Sequence, residues 1–446
     1  MTPLSRRKLL ATAAGAALAG SVGLVGANTH TDGQTTTNAD RFANPRDSGW
    51  RPADGSPLDA SVSATQVMTG LDYPWDLTFA GDDAFFTERP GRIRRIDTDD
   101  LVNGAGIPPH QAEVVLDQGN FPPLNTAGEG GTLGIAAHPS YPSPREIFVY
   151  YTVDGADIEN RVDRINLDTG TQTTVIDGIP GEEIHNGGRI EIGPDGHLWI
   201  LAGDGAADYE ATDIPAAQDP GSLAGTVIRI TLDGEVPSDN PDIGPDADPR
   251  VYTYGHRNPQ GLAFTPDGEA VLIEHGPTAR DEIHVLCAGS NYGWSEARGG
   301  PADPDWDSYA AHDEYAAPVV NTGTNDGEDT WAPSGATFYT SDAIPEFQNR
   351  AFIGGLRSQT LFALSLYPAG ANRPHYPNGT NYDDDWLDSR YQATTHRLFE
   401  EEWTRIRHAE EGPNGELFLL VEIREIWGDP TAPPEGENQI IRLDPV

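Results

Sequence analysis

His185 and Arg189 flank a Gly187-Gly188 pair in the segment Ile184 to Arg189. An imidazole is the side chain best suited to move a proton near neutral pH, and paired glycines let backbone or a ligand come close. The segment leads into an alternating run, Ile190 to Ile192, then a turn at Gly193-Pro194-Asp195-Gly196 and a second run, His197 to Leu201, ending at Gly203-Asp204. This is the pattern of a loop entering a β-hairpin. A histidine so placed is a candidate general base, with Asp204 or Asp76 as the carboxylate that would hold its tautomer. A lone loop histidine carries little weight, but the layout recurs along the chain and the recurrences carry other reactive side chains.

At corresponding entry positions stand Asp76, Glu129, Arg257 with Asn258, Arg357, and Arg405 with Arg407. The chain holds only 28 basic residues against 70 acidic ones, so basic side chains gathered at equivalent loops call for a reason. Guanidinium grips a carboxylate in a two-pronged fork, which points to an anionic ligand. The alternative is that these arginines pair with Asp and Glu between structural units. Glu274-His275-Gly276-Pro277, followed by Arg280-Asp281-Glu282, closes another run. Carbonyls at a Gly-Pro turn with carboxylates nearby suit a hard cation such as calcium, although a purely structural turn reads the same way.

The elements that must carry these residues are strands. No convincing amphipathic helix of any length interrupts short alternating runs bounded by Gly, Pro, Asn and Asp. A degenerate repeat returns at intervals of roughly 55 to 75 residues, each copy supplying about four strands, which is the signature of propeller blades. Its copies open at Tyr73-Pro74-Trp75-Asp76, Gly131-Thr132-Leu133, the His185 segment, Asn258-Pro259-Gln260-Gly261, Pro333-Ser334-Gly335 and Arg405-Ile406-Arg407-His408. Six copies predict an all-β, six-bladed β-propeller of four-stranded antiparallel blades over residues 59–446. The entry loops then face one axial mouth. Val62 to Met68 is predicted to close the ring beside Gln439 to Leu443. A Rossmann or hydrolase sheet is excluded by the lack of helices.

The formal net charge of -42 excludes a general nucleic-acid binder, which needs a basic face. Acidic residues are dispersed through nearly every loop, as in proteins adapted to high salt; a cationic partner is the other explanation. One cysteine, Cys287, rules out an intrachain disulfide and a Cys-based metal site. At the N-terminus, Arg6-Arg7 and the small apolar run that follows predict a twin-arginine signal peptide over residues 1–27 and export, with no stable membrane span after cleavage. Residues 28–58 read as a disordered polar linker.

Taken together, Gly128-Glu129-Gly130-Gly131-Thr132-Leu133-Gly134, His185-Asn186-Gly187-Gly188-Arg189, Tyr254-Gly255-His256-Arg257-Asn258-Pro259-Gln260-Gly261, Glu274-His275-Gly276-Pro277 with Asp281-Glu282-Ile283, Asn291-Tyr292-Gly293-Trp294 and Arg405-Ile406-Arg407 resemble the soluble glucose/sorbosone dehydrogenase family. The matches run in family order from about Asp72 to Leu443. The resemblance implies an oxidoreductase that converts an aldose or related sugar to its lactone or acid and passes electrons to an external acceptor. It implies pyrroloquinoline quinone (PQQ) in the channel mouth and calcium. By position it makes His185 the base that takes the hydroxyl proton while hydride passes to the quinone. Arg257 and Asn258 would contact the cofactor, with Arg257 also polarising the reacting carbonyl. Glu129, Arg357, Arg405 and Arg407 complete the cofactor set. Gly276 and Pro277 would offer carbonyls to one calcium; Glu282 and the Tyr292 carbonyl resemble a second, structural site. Three positions depart from the family pattern: Glu129 stands where Gln is common, Arg357 where Lys is common, and His408 where Asp is usual. A calcium-dependent propeller lactonase and a non-catalytic propeller that binds glycans or proteins are the rival readings. The arginines argue against the first, and Glu129 keeps the second open.

Overall fold

The computed structural model describes residues 49–206, 216–301, 303, 307–322, 330–423 and 436–446. The expected signal peptide and the linker up to residue 48 lie outside them. Among the described residues the strands form six antiparallel sheets and one two-stranded parallel pair. In chain order the sheets are blades of a β-propeller. Blade one holds Pro74–Ala80, Asp83–Glu88, Arg92–Asp97 and Glu113–Leu116; blade two runs from Thr132–Ala137 to Thr171–Pro180; blade three runs from Ile190–Ile192 to Val251–Tyr254. Blade four begins at Pro259–Phe264 and takes Val320–Asn321 as its outer strand. Blade five begins at Pro333–Tyr339 and has five strands rather than the expected four, because Thr380–Tyr382 folds back on Tyr391–Leu398. Blade six begins at Arg405–Glu411. Its outer strand is Val62–Thr69, paired antiparallel with Gln439–Pro445 (Val62 opposite Pro445, Met68 opposite Ile440), so the N-terminal strand closes the ring as the alternation predicted.

Each blade is too thin to bury both faces alone, so apolar side chains pack between neighbours. Six buried clusters result, one per blade interface: Phe148 and Tyr150 against Ile200 and Ile228, for example, or Phe86 and Leu77 against Phe418 and Leu420. The others join blades one and two, three and four, four and five, and five and six. Truncating a fully buried phenylalanine such as Phe352 costs about 3–5 kcal/mol. The ring is therefore one cooperative unit, and side chains from different blades meet at its axis.

The polar linker does not extend to residue 58. From residue 49 the chain is laid along blades four and five. Trp50 Nε1 donates to Asp267 at 2.9 Å, and its ring meets Phe338 edge-on at 5.4 Å. The guanidinium of Arg350, fully buried, donates to the carbonyls of Ala53 at 2.8 Å and Gly55 at 2.7 Å. A buried cation needs acceptors, and this segment's backbone provides them; composition alone cannot reveal that.

Candidate active site

Five of the six inner strands open with a β-bulge at the same end. The register slips between Pro74 and Leu77, Thr132 and Ile135, Pro259 and Gly261, Pro333 and Ala336, and Ile406 and His408. A bulge re-aims side chains where pairing ends. Here it turns the first residues of each blade toward one mouth. Blade three has no such slip; its entry is the His185 loop.

His185 is 4% exposed, and its backbone is left-handed at φ +61. Its Nδ1 lies 2.7 Å from Asp204 Oδ1. Asp204 is fully buried and accepts further bonds from Trp294 Nε1 at 2.7 Å and the Ala206 amide at 2.8 Å. Of the two carboxylates the sequence offered, the fold selects Asp204. Asp76 instead forms a buried ion pair with Arg189, whose guanidinium also donates to the Gln260 carbonyl at 3.2 Å and lies over Trp75. Arg189 therefore bridges blades and takes no place at the mouth. The glycines beside it serve the protein: a Cβ on Gly187 would lie 2.4 Å from the Leu201 carbonyl, and one on Gly188 would strike Leu133 at 2.7 Å. Of the two uses the sequence left open for these glycines, close approach of backbone or of a ligand, they serve to admit neighbouring chain.

Arg257 and Asn258 arrive from blade four. The Arg257 amide donates to Glu274 at 2.7 Å, its Nη1 donates to the His275 carbonyl at 3.2 Å, and its carbonyl accepts the Asp204 amide at 2.8 Å. Asn258, fully buried, accepts the Gly187 amide at 3.1 Å and donates to Glu129 at 3.2 Å. Glu129 also accepts the His185 amide at 2.9 Å. Blades two, three and four thus meet at the histidine.

Blade six supplies the other wall. Glu422 holds both arginines: Arg405 Nε donates at 2.6 Å, and Arg407 donates through Nη2 at 2.9 Å and Nε at 3.2 Å. Arg407 Nη1 goes to Gln260 and Ser334, so all its nitrogens are taken and it stands behind Arg405. Burial alone would raise the Glu422 pKa, but Arg407 and Arg405 outweigh it and push the carboxyl down to about 2. One carboxylate against two guanidiniums leaves a positive wall. Sequence reading missed Glu422. Counting back from the Pro413-Asn414-Gly415 turn pairs it with Ile406, and only the bulge at Arg407 shifts it opposite Arg405. Trp294 was noted as a family marker, with no hint of its bond to Asp204.

Arg257, His275, Gly276, Pro277 and Trp294 line one small cleft together with Arg280 and Arg298. Burial, followed by the charges of Arg257, Arg407, His185 and Arg405, drives the His275 pKa well below its usual value. His275 Nε2 is buried without a hydrogen-bond partner. Arg357 lies at the same end of blade five, exposed, and its side chain makes no bond to the described residues. The donor set suits a polyanion. At Gly276 and Pro277 the same cleft carries three arginines, one of them paired with Asp303, beside the carboxylates of Glu274 and Glu282, so a cation there has both opposing and favouring charges around it.

Glu282 and the Tyr292 carbonyl do not present an open cation site. Tyr309 Oη lies 2.9 Å from both, Asn321 donates to Glu282 at 2.7 Å, and His284 Nε2 lies 3.3 Å away. His284 also meets Glu274 at 2.9 Å, with His256 on the same oxygen at 3.2 Å. Burial disfavours the His284 charge, but bonds to Glu274 and Glu282 prevail and push its pKa up to about 9. This buried network backs the cleft and anchors the Arg257 amide through Glu274.

Residues 71–426 match the family model described as Glucose / Sorbosone dehydrogenase. The chain is 30% identical over 380 residues to aldose sugar dehydrogenase YliI of Escherichia coli, covering 81% of this chain and 91% of that protein. Among solved structures it resembles the apo form of the soluble E. coli aldose sugar dehydrogenase, with a TM-score of 0.66, 26% identity and coverage of 86% of this chain and 100% of that one. It also resembles the PQQ-bound aldose sugar dehydrogenase of Streptomyces coelicolor, with a TM-score of 0.62, 27% identity and coverage of 86% and 98%. With 30% identity over most of both chains and a family model matched across residues 71–426, the chain belongs to the glucose/sorbosone dehydrogenase family.

Proposed function

We propose that this chain is a PQQ-dependent dehydrogenase that oxidises the CH–OH group of an aldose, or a related sugar, to the lactone or acid. The observation that carries the reading is His185 Nδ1 locked on Asp204 at 2.7 Å, next to a mouth walled by Arg257 and Arg405. With Nδ1–H donated to Asp204, the lone pair sits on Nε2, which is the arrangement of a general base. Trp294 and the Ala206 amide also donate to Asp204, one to each oxygen, so the carboxylate stays oriented while the imidazole gains a proton. A bound quinone would supply the hydride-accepting chemistry. Arg257, Arg405 and the exposed Arg357 would grip its carboxylates in bidentate fashion, Asn258 would stand beside them, and Arg407 would keep Arg405 in place through Glu422. Calcium would enter at Gly276 and Pro277 together with the polyanion, whose charge offsets the arginines.

We further read the chain as exported by the twin-arginine route, working at high salt and passing electrons to an external acceptor. Among the described residues no helix is long and apolar enough to cross a membrane. The test is reconstitution: purified apoprotein with PQQ and calcium in high salt, followed by aldose-dependent reduction of a redox dye. Dye reduction is expected. No reduction, together with no spectroscopic sign of quinone binding, overturns the proposal and leaves the binding-propeller reading.

A further inference from the structure

The His185 loop lies in a conformation it would not hold alone. A left-handed backbone is strained for a non-glycine residue, and His185 has φ +61, so the surroundings must compensate. They do so through one side chain from each neighbouring blade. Glu129 Oε2 accepts the His185 amide at 2.9 Å and Asn258 Nδ2 at 3.2 Å. Asn258 Oδ1 accepts the Gly187 amide at 3.1 Å. The result is a closed ring of bonds across blades two, three and four, with a single carboxylate oxygen at its centre. The base of Glu129 is itself fixed: its amide donates to the Glu183 carbonyl at 2.8 Å. Gly128 has φ +53 and packs so tightly on that carbonyl that a Cβ there would lie 1.9 Å from its oxygen.

We propose that Glu129 is a positioning residue, whose Oε2 fixes the backbone of His185 and the amide of Asn258, and that this role does not depend on contact with a cofactor. The proposal rests on the reading of His185 as the base. The ring needs an acceptor at one place and has no use for the negative charge, because an amide carbonyl accepts the same two donors. Shortening the side chain should therefore do harm even when the charge is kept, and neutralising it should do little harm when the length is kept. His185 Nε2 must sit within hydrogen-bond reach of the proton it takes, so a small displacement of the loop costs turnover before it costs ligand binding.

The experiment compares Glu129→Ala, Glu129→Asp and Glu129→Gln in the full reconstituted protein. Three quantities are read: kcat and KM with the dye, PQQ affinity by absorbance titration, and amide exchange over residues 182–190 in the apoprotein. For Ala and Asp, kcat is expected to fall about 10- to 100-fold while PQQ affinity stays within about threefold. Gln is expected to recover kcat to within about threefold of the parent. Exchange at His185 and Gly187 should quicken about tenfold in Ala and Asp and not in Gln. If the Ala variant does not fold, Asp carries the comparison. Three results overturn the proposal: Gln as damaging as Ala, PQQ affinity lost with kcat intact, or exchange unchanged in the shortened variants. Should the parent show no turnover at all, the base reading fails, and the exchange data alone still decide whether Glu129 fixes the His185 backbone.

Discussion

The two walls of the mouth each lean on a carboxylate of their own blade, but they differ in what else holds them. On the histidine side, Asp204 of the same blade orients the ring, while the backbone and Asp204 itself are held by hydrogen bonds from other blades: Glu129 from blade two, and Asn258 and Trp294 from blade four. On the arginine side, the chief positioning group comes from the same hairpin, as Glu422 on the strand next to Arg405 and Arg407, and it acts through charge. The difference follows from what each wall must do. On the proposed reading His185 is a base, which needs accurate placement, and hydrogen bonds from a rigid frame suit it. Two guanidiniums side by side repel each other, so they need a carboxylate, and the nearest strand supplies it at the lowest cost in chain entropy.

The comparison can be broken first at the histidine itself. His185→Ala should lower kcat by about 10²–10⁴-fold with quinone binding retained, the range for loss of a general base; dye kinetics beside absorbance titration check this. Unchanged turnover would refute the role of His185.

Glu422→Gln should strike stability where the histidine-side variants do not. It leaves Arg407 buried and short of a countercharge, a change that costs about 3–5 kcal/mol, read as a lower chemical-denaturation midpoint. Acid should give the same loss in the parent. The folded pKa of Glu422 lies at about 2, below the usual 4.5. Its contribution is therefore fully present above pH 4.5 and is lost as pH falls toward 2, on the order of 3 kcal/mol. The Gln variant should show a shallower acid dependence over that window; equal slopes would remove Glu422 from the account.

The smallest effect belongs to Arg357. Exposed and unbonded to the described residues, it should change stability by less than about 0.5 kcal/mol on truncation to Ala. PQQ affinity should drop a few-fold, more at low salt than at high salt because screening weakens exposed charges. Titration at two ionic strengths checks it, and a salt-independent result would place Arg357 away from the ligand.

Much of this was legible in the chain. The spacing of Asp267, Asn414 and the other turn residues, with short apolar or alternating runs between them, marks strands and their count. Val62 to Met68 reads as a strand without a partner and Gln439 to Leu443 as one short of a partner, so ring closure follows. His185, Arg257 and Arg405 stand out because basic side chains are few in this chain and gather at strand entries, although Arg189, in the same pattern, serves the packing of blades. Glu422 and Tyr309 do not stand out. Their roles depend on a one-residue bulge and on a loop folding back, and neither leaves a mark in composition.

What the sequence determined by itself is the repeat, the fold and the kinds of side chain gathered at the mouth, because these follow from local periodicity and residue chemistry. What only the tertiary structure decided is the pairing: Asp204 over Asp76 for the histidine, Asp76 for Arg189, Glu129 for the His185 backbone, protein donors at Glu282, and a segment after residue 48 packed on the barrel of blades. A hydrogen bond is made within about 3 Å, and which of several carboxylates falls within that distance is set by how whole blades pack.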